Sequence, residues 1–140
     1  MHPFRKAVED RDEAAVQAML ADNVVFTSPV AFTPYVGKPI TAAILRGVLR
    51  VFEDFRYMRE IHDSANGLHA LEFEAGVAGA PGVKVNGCDF LHVNDEGLID
   101  DFKVMVRPLS GATALSEAMG AQFPRIQTEA VELADQFASA

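Results

Sequence analysis

The chain has 140 residues, a formal charge of −8 from 12 Lys and Arg against 20 Asp and Glu, and 49% apolar against 23% charged residues. That length suits one domain with one core, and cations this sparse argue against a nucleic-acid partner, whose phosphates need clustered Lys and Arg. No apolar run approaches the roughly 20 residues that span a bilayer, so no membrane partner is expected. The opening MHPFRKAVEDRDE lacks the apolar stretch of a secretory leader, so a cytoplasmic location is expected. Cys88, alone in the chain, has no partner for an internal disulfide, which fits a reducing compartment.

The first 20 residues read as two short helices broken near Arg11-Asp12, with Phe4, Val8, Val16 and Leu20 on the apolar side and Asp12 placed to cap the second. Val24 to Thr27 is a short β-branched and aromatic strand, followed by the proline-containing loop SPVAFTPYVG. Pro39 opens a helix to about Asp54, with Ile40, Ile44, Leu45, Val48, Leu49 and Phe52 at helical spacing. The period then changes. Residues 55–62, 69–77, 83–93 and 98–106 read as four strands separated by Asn66-Gly67, Gly79-Ala80-Pro81-Gly82 and Asn94-Asp95-Glu96-Gly97, a curved antiparallel meander. From Pro108 the chain is helical, with interruptions expected at Gly120 and Pro124. Helices followed by a run of strands imply an α+β class: a curved antiparallel sheet wrapped by N-terminal helices into a cone with an internal pocket. The whole chain, 1–140, is one domain, with a core over about 3–120 and a helical extension over about 124–140.

One residue breaks the strand pattern. Alternation places Val85, Gly87, Asp89, Leu91 and Val93 on one face of the third of these strands. A carboxylate among those groups would have its pKa raised by desolvation, which makes Asp89 the candidate catalytic acid or base. The same reasoning places His69 with Leu71, Phe73 and Ala75 on an inward face, and His62 and His92 on the outer face. The histidines sit on separate strands without HxH or HxxxH spacing, so no metal is expected. No glycine-rich phosphate loop precedes a helix, so no cofactor is expected. Ser28 lacks the G-x-S-x-G surroundings of a nucleophile and reads as a loop cap or pocket hydroxyl, while Arg107 reads as a surface cation near the mouth. Phe4, Phe26, Phe32, Phe52 and Phe73 supply apolar surface for a small hydrophobic ligand, with Ser28, His69 and Val104 among its neighbours.

The segments DEAAVQAMLADNVVFTSP, GKPITAAILRGVLRVF and CDFLHVNDEGLIDDFKVMVRP together resemble the SnoaL-like branch of the nuclear-transport-factor-2-like superfamily. That resemblance covers about residues 3–120. It implies a cone-shaped pocket, a homodimer formed through the outer sheet face, and an activity drawn from isomerases, cyclases, lyases and hydrolases. Asp89 matches the acid of ketosteroid isomerases, but the base of those enzymes falls at Ser28 and their oxyanion tyrosine at Phe4. The epoxide-hydrolase Arg and second Asp fall at Gly87 and Val104. Both residue sets are incomplete. The function expected is binding, and conversion if the protein is an enzyme, of a small hydrophobic carbonyl compound, with Asp89 in acid-base chemistry. The alternative is a non-catalytic ligand-binding or dimerisation module.

Overall fold

A computed structural model describes residues 1–139. Its elements run α1 (Pro3–Glu9), α2 (Glu13–Ala18), β1 (Leu20–Thr27), β2 (Tyr35–Val36), α3 (Lys38–Val51), β3 (Phe52–Asp63), β4 (Leu68–Val77), β5 (Lys84–Val93), β6 (Ile99–Arg107) and α4 (Leu109–Ala138). The sheet order is β2-β1-β6-β5-β4-β3. The β3–β6 meander is antiparallel throughout, and β1 joins its β6 edge in parallel. The architecture is the expected α+β class, with a curved, unclosed six-stranded sheet and helices packed on its concave side.

Local chemistry accounts for the helix starts. His2 Nδ1 accepts from the Phe4 amide and caps α1, and Asp12 accepts from the Ala15 amide at 3.0 Å, the cap expected for α2. Gly37, at φ +112°, takes a conformation that side chains disfavour just before the Pro39 turn of α3. α3 buries Ala42, Ala43, Ile44 and Leu45 against the sheet.

Three differences from the sequence expectation matter for the site. Tyr35–Val36 is a short strand paired with Val25 and Phe26 rather than loop. Strand β3 begins at Phe52, three residues earlier than its pattern suggests, and carries two extra residues relative to β4, one between Glu53 and Arg56 and one between Tyr57 and Arg59. Each bulge reverses the inside-outside alternation. Phe52, Tyr57 and His62 therefore all face the concave side, and His62 meets His69 there, not the outer face expected from simple alternation.

The third difference is α4, which runs unbroken through Gly120 and Pro124. Proline inside a helix costs about 3 kcal/mol, and tertiary packing offsets it. Leu115, Ile126 and Leu133 are buried, and Ile126 fills the space beside Gly47 of α3, where a Cβ would meet its Cδ1 at 2.7 Å. Glu129, beyond Pro124, binds Arg50 of α3 at 2.7 Å and Arg46 at 3.4 Å. The segment read as an extension is thus bolted onto the core helix.

Gly87 shows why no arginine can occupy that position. A Cβ there would lie 2.4 Å from the Phe73 ring and 2.8 Å from the Met105 carbonyl oxygen of the next strand. Backbone cannot give way as a flexible side chain does, so Gly87→Ala should lower stability by about 1–3 kcal/mol, read as an earlier urea midpoint with an unchanged slope.

Candidate functional site

The concave face of the sheet, α1 to α3 and the first half of α4 enclose a cavity of about 240 Å³. Its walls are mostly aromatic and aliphatic. Phe4 meets Phe102 edge-on at 5.2 Å, and Phe55 packs on both Phe73 and Tyr57 at 4.9 Å. Of the residues expected around a ligand, Phe4, Phe26, Ser28, Phe52, Phe73 and Val104 line this space together with Asp89. Two do not. Phe32 sits in the β1–β2 loop, 98% exposed, because Pro29, Val30 and Ala31 take the cavity side of that loop. His69 faces inward but lies at the far end of β4, beyond the cavity wall, where it pairs with His62 instead.

Asp89 sits in the middle of β5, paired with Leu71 on one side and Val104 on the other, and is 5% exposed. The Tyr57 hydroxyl donates to its Oδ2 at 2.7 Å. No described residue hydrogen-bonds Oδ1. Burial pushes the carboxyl up to about 7, only partly countered by the Tyr57 hydrogen bond, which favours the charged form. The phenol is driven well above its usual range, first by burial and then by the neighbouring Asp89 charge. The pair therefore combines a carboxyl that exchanges its proton near neutrality with a hydroxyl that keeps its own.

The rest of the wall adds little polarity. Ser28 Oγ accepts from the Val30 amide at 3.1 Å, a local loop turn and no base. Ser116 enters from α4. Among the described residues no Lys, Arg or His lines the cavity, and Asp89 is the one carboxylate that does. Among the described residues no group of three or more His, Cys, Asp or Glu is arranged to hold a metal ion. Arg107 lies on the outer sheet face, in a groove with Arg59, Cys88, Phe90 and Met105, away from the cavity.

Tyr57 is the site residue that the sequence hides. In the run FEDFRYMREIHD it looks like one more aromatic, and the bulge between Glu53 and Arg56 puts it, with Phe55, on the same face as Phe52, where its hydroxyl reaches Asp89. Met119, Gly120 and Phe123 were equally obscure, because their place on the cavity side depends on α4 persisting through Gly120, where a break was expected.

The SnoaL-like domain profile matches residues 2–102. A steroid delta-isomerase structure from Pseudomonas aeruginosa is 38% identical, with 89% of each chain covered and a TM-score of 0.80. An uncharacterised bacterial protein with a cystatin-like fold from Silicibacter pomeroyi is 34% identical, over 86% of this chain and 82% of that one, with a TM-score of 0.78. An NTF2-like protein from Mesorhizobium loti, 16% identical over 75% of this chain and 85% of its own, shares the fold with a TM-score of 0.64. No curated protein matches. By the extent of the profile match and its identity to these structures, the chain belongs to the SnoaL-like domain family.

Proposed function

We propose that the cavity takes up a small, neutral, hydrophobic carbonyl compound and that Asp89 moves a proton on it, an isomerase-type reaction. The observation that carries this reading is the buried Tyr57–Asp89 pair at the polar spot of an apolar cavity. The ligand is neutral because no cation lines the wall to receive an anion, and a cation would need more than one partially charged carboxyl. It carries a hydrogen-bond acceptor because the buried polar pair facing it is a carboxyl and a phenol, with the Ser28 and Ser116 hydroxyls as further polar groups on the wall. As the carboxylate, Asp89 takes a proton from the carbon next to the carbonyl. Negative charge grows on the carbonyl oxygen, and the Tyr57 hydroxyl is the donor able to turn toward it. Return of the proton from Asp89 to another carbon completes the shift. The steroid delta-isomerase likeness favours this class of chemistry, while Ser28 and Phe4 at the base and tyrosine positions of ketosteroid isomerases mean that Asp89 and Tyr57 would carry it here in a different arrangement.

A panel of hydrophobic ketones screened by thermal shift, followed by NMR of their exchange with D₂O, tests the reading. A stabilising ketone should lose its α-protons to solvent, and Asp89→Asn should slow that loss at least ~100-fold while keeping the thermal shift. Binding without Asp89-dependent exchange would instead identify a non-catalytic binding module.

The carboxyl makes its own prediction. A group with a raised folded-state pKa is protonated in the fold while the unfolded chain has already released its proton, so stability is full at low pH and declines as pH rises toward about 7. Across that window the wild type should lose on the order of 4 kcal/mol relative to Asp89→Asn. Carbon-13 NMR of the Asp89 carboxyl should titrate near 7, and a value near 4 would contradict the assignment. Tyr57→Phe removes the hydrogen bond that favours the carboxylate, so it should move that titration further upward.

For the outer face we propose pairing with a second copy of the chain. Exposed Ile61, Phe90 and Met105 form an apolar centre there, and Arg59, Glu72 and Arg107 supply both signs of charge around it. Sedimentation should show a dimer that Phe90→Glu converts to monomer.

A further inference from the structure

Three of the four histidines meet at the rim of the sheet, outside the cavity. His62 Nδ1 lies 2.7 Å from His69 Nδ1, and His62 Nε2 lies 2.9 Å from a Glu60 oxygen. The His2 ring stacks on His62 at 5.9 Å and leans on His69 at 4.7 Å. Glu60 also accepts from the His2 amide and from Arg5, each at 2.9 Å. This cluster is where α1 is tied to β3 and β4, and α1 carries Phe4 and Val8, two walls of the cavity. We propose that His2, His62 and His69 form a pH-sensitive latch, closed when the rings are neutral and released by acid, which controls how firmly α1 covers the cavity.

The hydrogen-bond roles define how it works. His2 caps α1 with a lone pair on Nδ1, and an imidazolium has none to offer. With Nε2–H given to Glu60, His62 receives the His69 Nδ1–H at its own Nδ1. That pair accepts one proton without breaking, but a second leaves two N–H groups face to face. On the α1 side are the N-terminal amino group, Arg5 and Glu9, on β3 Glu60 and Asp63. His92 of β5 is engaged with Asp100 of β6. Glu60 and Asp63 favour the charged rings, while burial and the other histidines oppose them. The balance lowers the pKa of His2, through burial first and then His69, and of His69, through burial first and then His62. Histidines held below their ordinary value of about 6.5 leave the fold tight above that value and weaken it as pH falls from there through their lowered folded-state values.

The latch does not depend on what the cavity binds, and its test is run in the Asp89→Asn background so that the site carboxyl does not titrate. Hydrogen exchange of the segment 3–9, corrected for the intrinsic pH dependence of exchange, should show protection falling about tenfold between pH 7.5 and 5.5. Adding His2→Asn, which retains a capping oxygen but cannot titrate, together with His62→Gln and His69→Gln, should reduce that fall to less than about threefold. If that variant fails to fold, His2→Asn alone should at least halve the effect on a logarithmic scale. Protection that does not change with pH, or that changes equally in the variants, overturns the proposal.

Discussion

An ionisable group in an apolar wall is tolerated only with a partner or without its charge, and the site depends on Asp89 having a little of both. One hydroxyl, that of Tyr57, touches the carboxyl, and burial raises its pKa to about 7. A cation in the same place would have given a permanent ion pair with little tendency to exchange protons near neutrality. A second carboxylate would have split the titration between two groups. A single neutral donor leaves the carboxyl free to change state in the pH range where proton transfer is useful. The surrounding apolar wall is thus part of the chemistry as well as of the core, since Phe4, Phe26 and Phe73 both stabilise the fold by burial and keep water from lowering that pKa.

The sequence made the fold and half of the pair legible. Period-2 apolar runs and turn signals located β3 to β6 within a few residues, and Asp89 stood out because it shares a face with Val85, Gly87 and Leu91. Tyr57 was illegible for a definite reason. Two residues without counterparts on β4 interrupt its strand, so a pattern read two by two gives the wrong face on one side or the other of each bulge. The same reversal put His62 beside His69. Phe32 failed in the opposite direction: its size suggested burial, but Pro29, Val30 and Ala31 take the cavity side of the loop and leave it exposed. Pro124 likewise signalled a break that the Glu129 clamp and Ile126 override, and with it the contribution of α4 to the cavity went unread.

The bulged strand links these features. β3 is the edge of the sheet, so an extra residue there bends the strand without disturbing a ladder on its other side. Bending carries its first half over the cavity, with Phe52, Phe55 and Tyr57 facing in, and its second half to the rim, with Glu60 and His62 facing α1. One strand thereby supplies both the hydrogen-bond donor of the site and the carboxylate that gathers the amino-terminal helix.

These two ends of β3 respond to pH in opposite senses. Asp89 is favoured in the fold as the neutral acid, so the cavity is most stable when protons are plentiful, whereas His2 and His69 are favoured as neutral bases, so the rim is most stable when they are scarce. The two conditions are not met in full at the same pH. Near neutrality the carboxyl is partly ionised while His2 and His69 are largely uncharged, which is the region where the proposed proton transfer and the proposed closure by α1 are compatible. A more polar wall would widen the range over which the rim and core agree, but it would return Asp89 to the ordinary carboxylate range and remove its capacity to take and give a proton at the same pH.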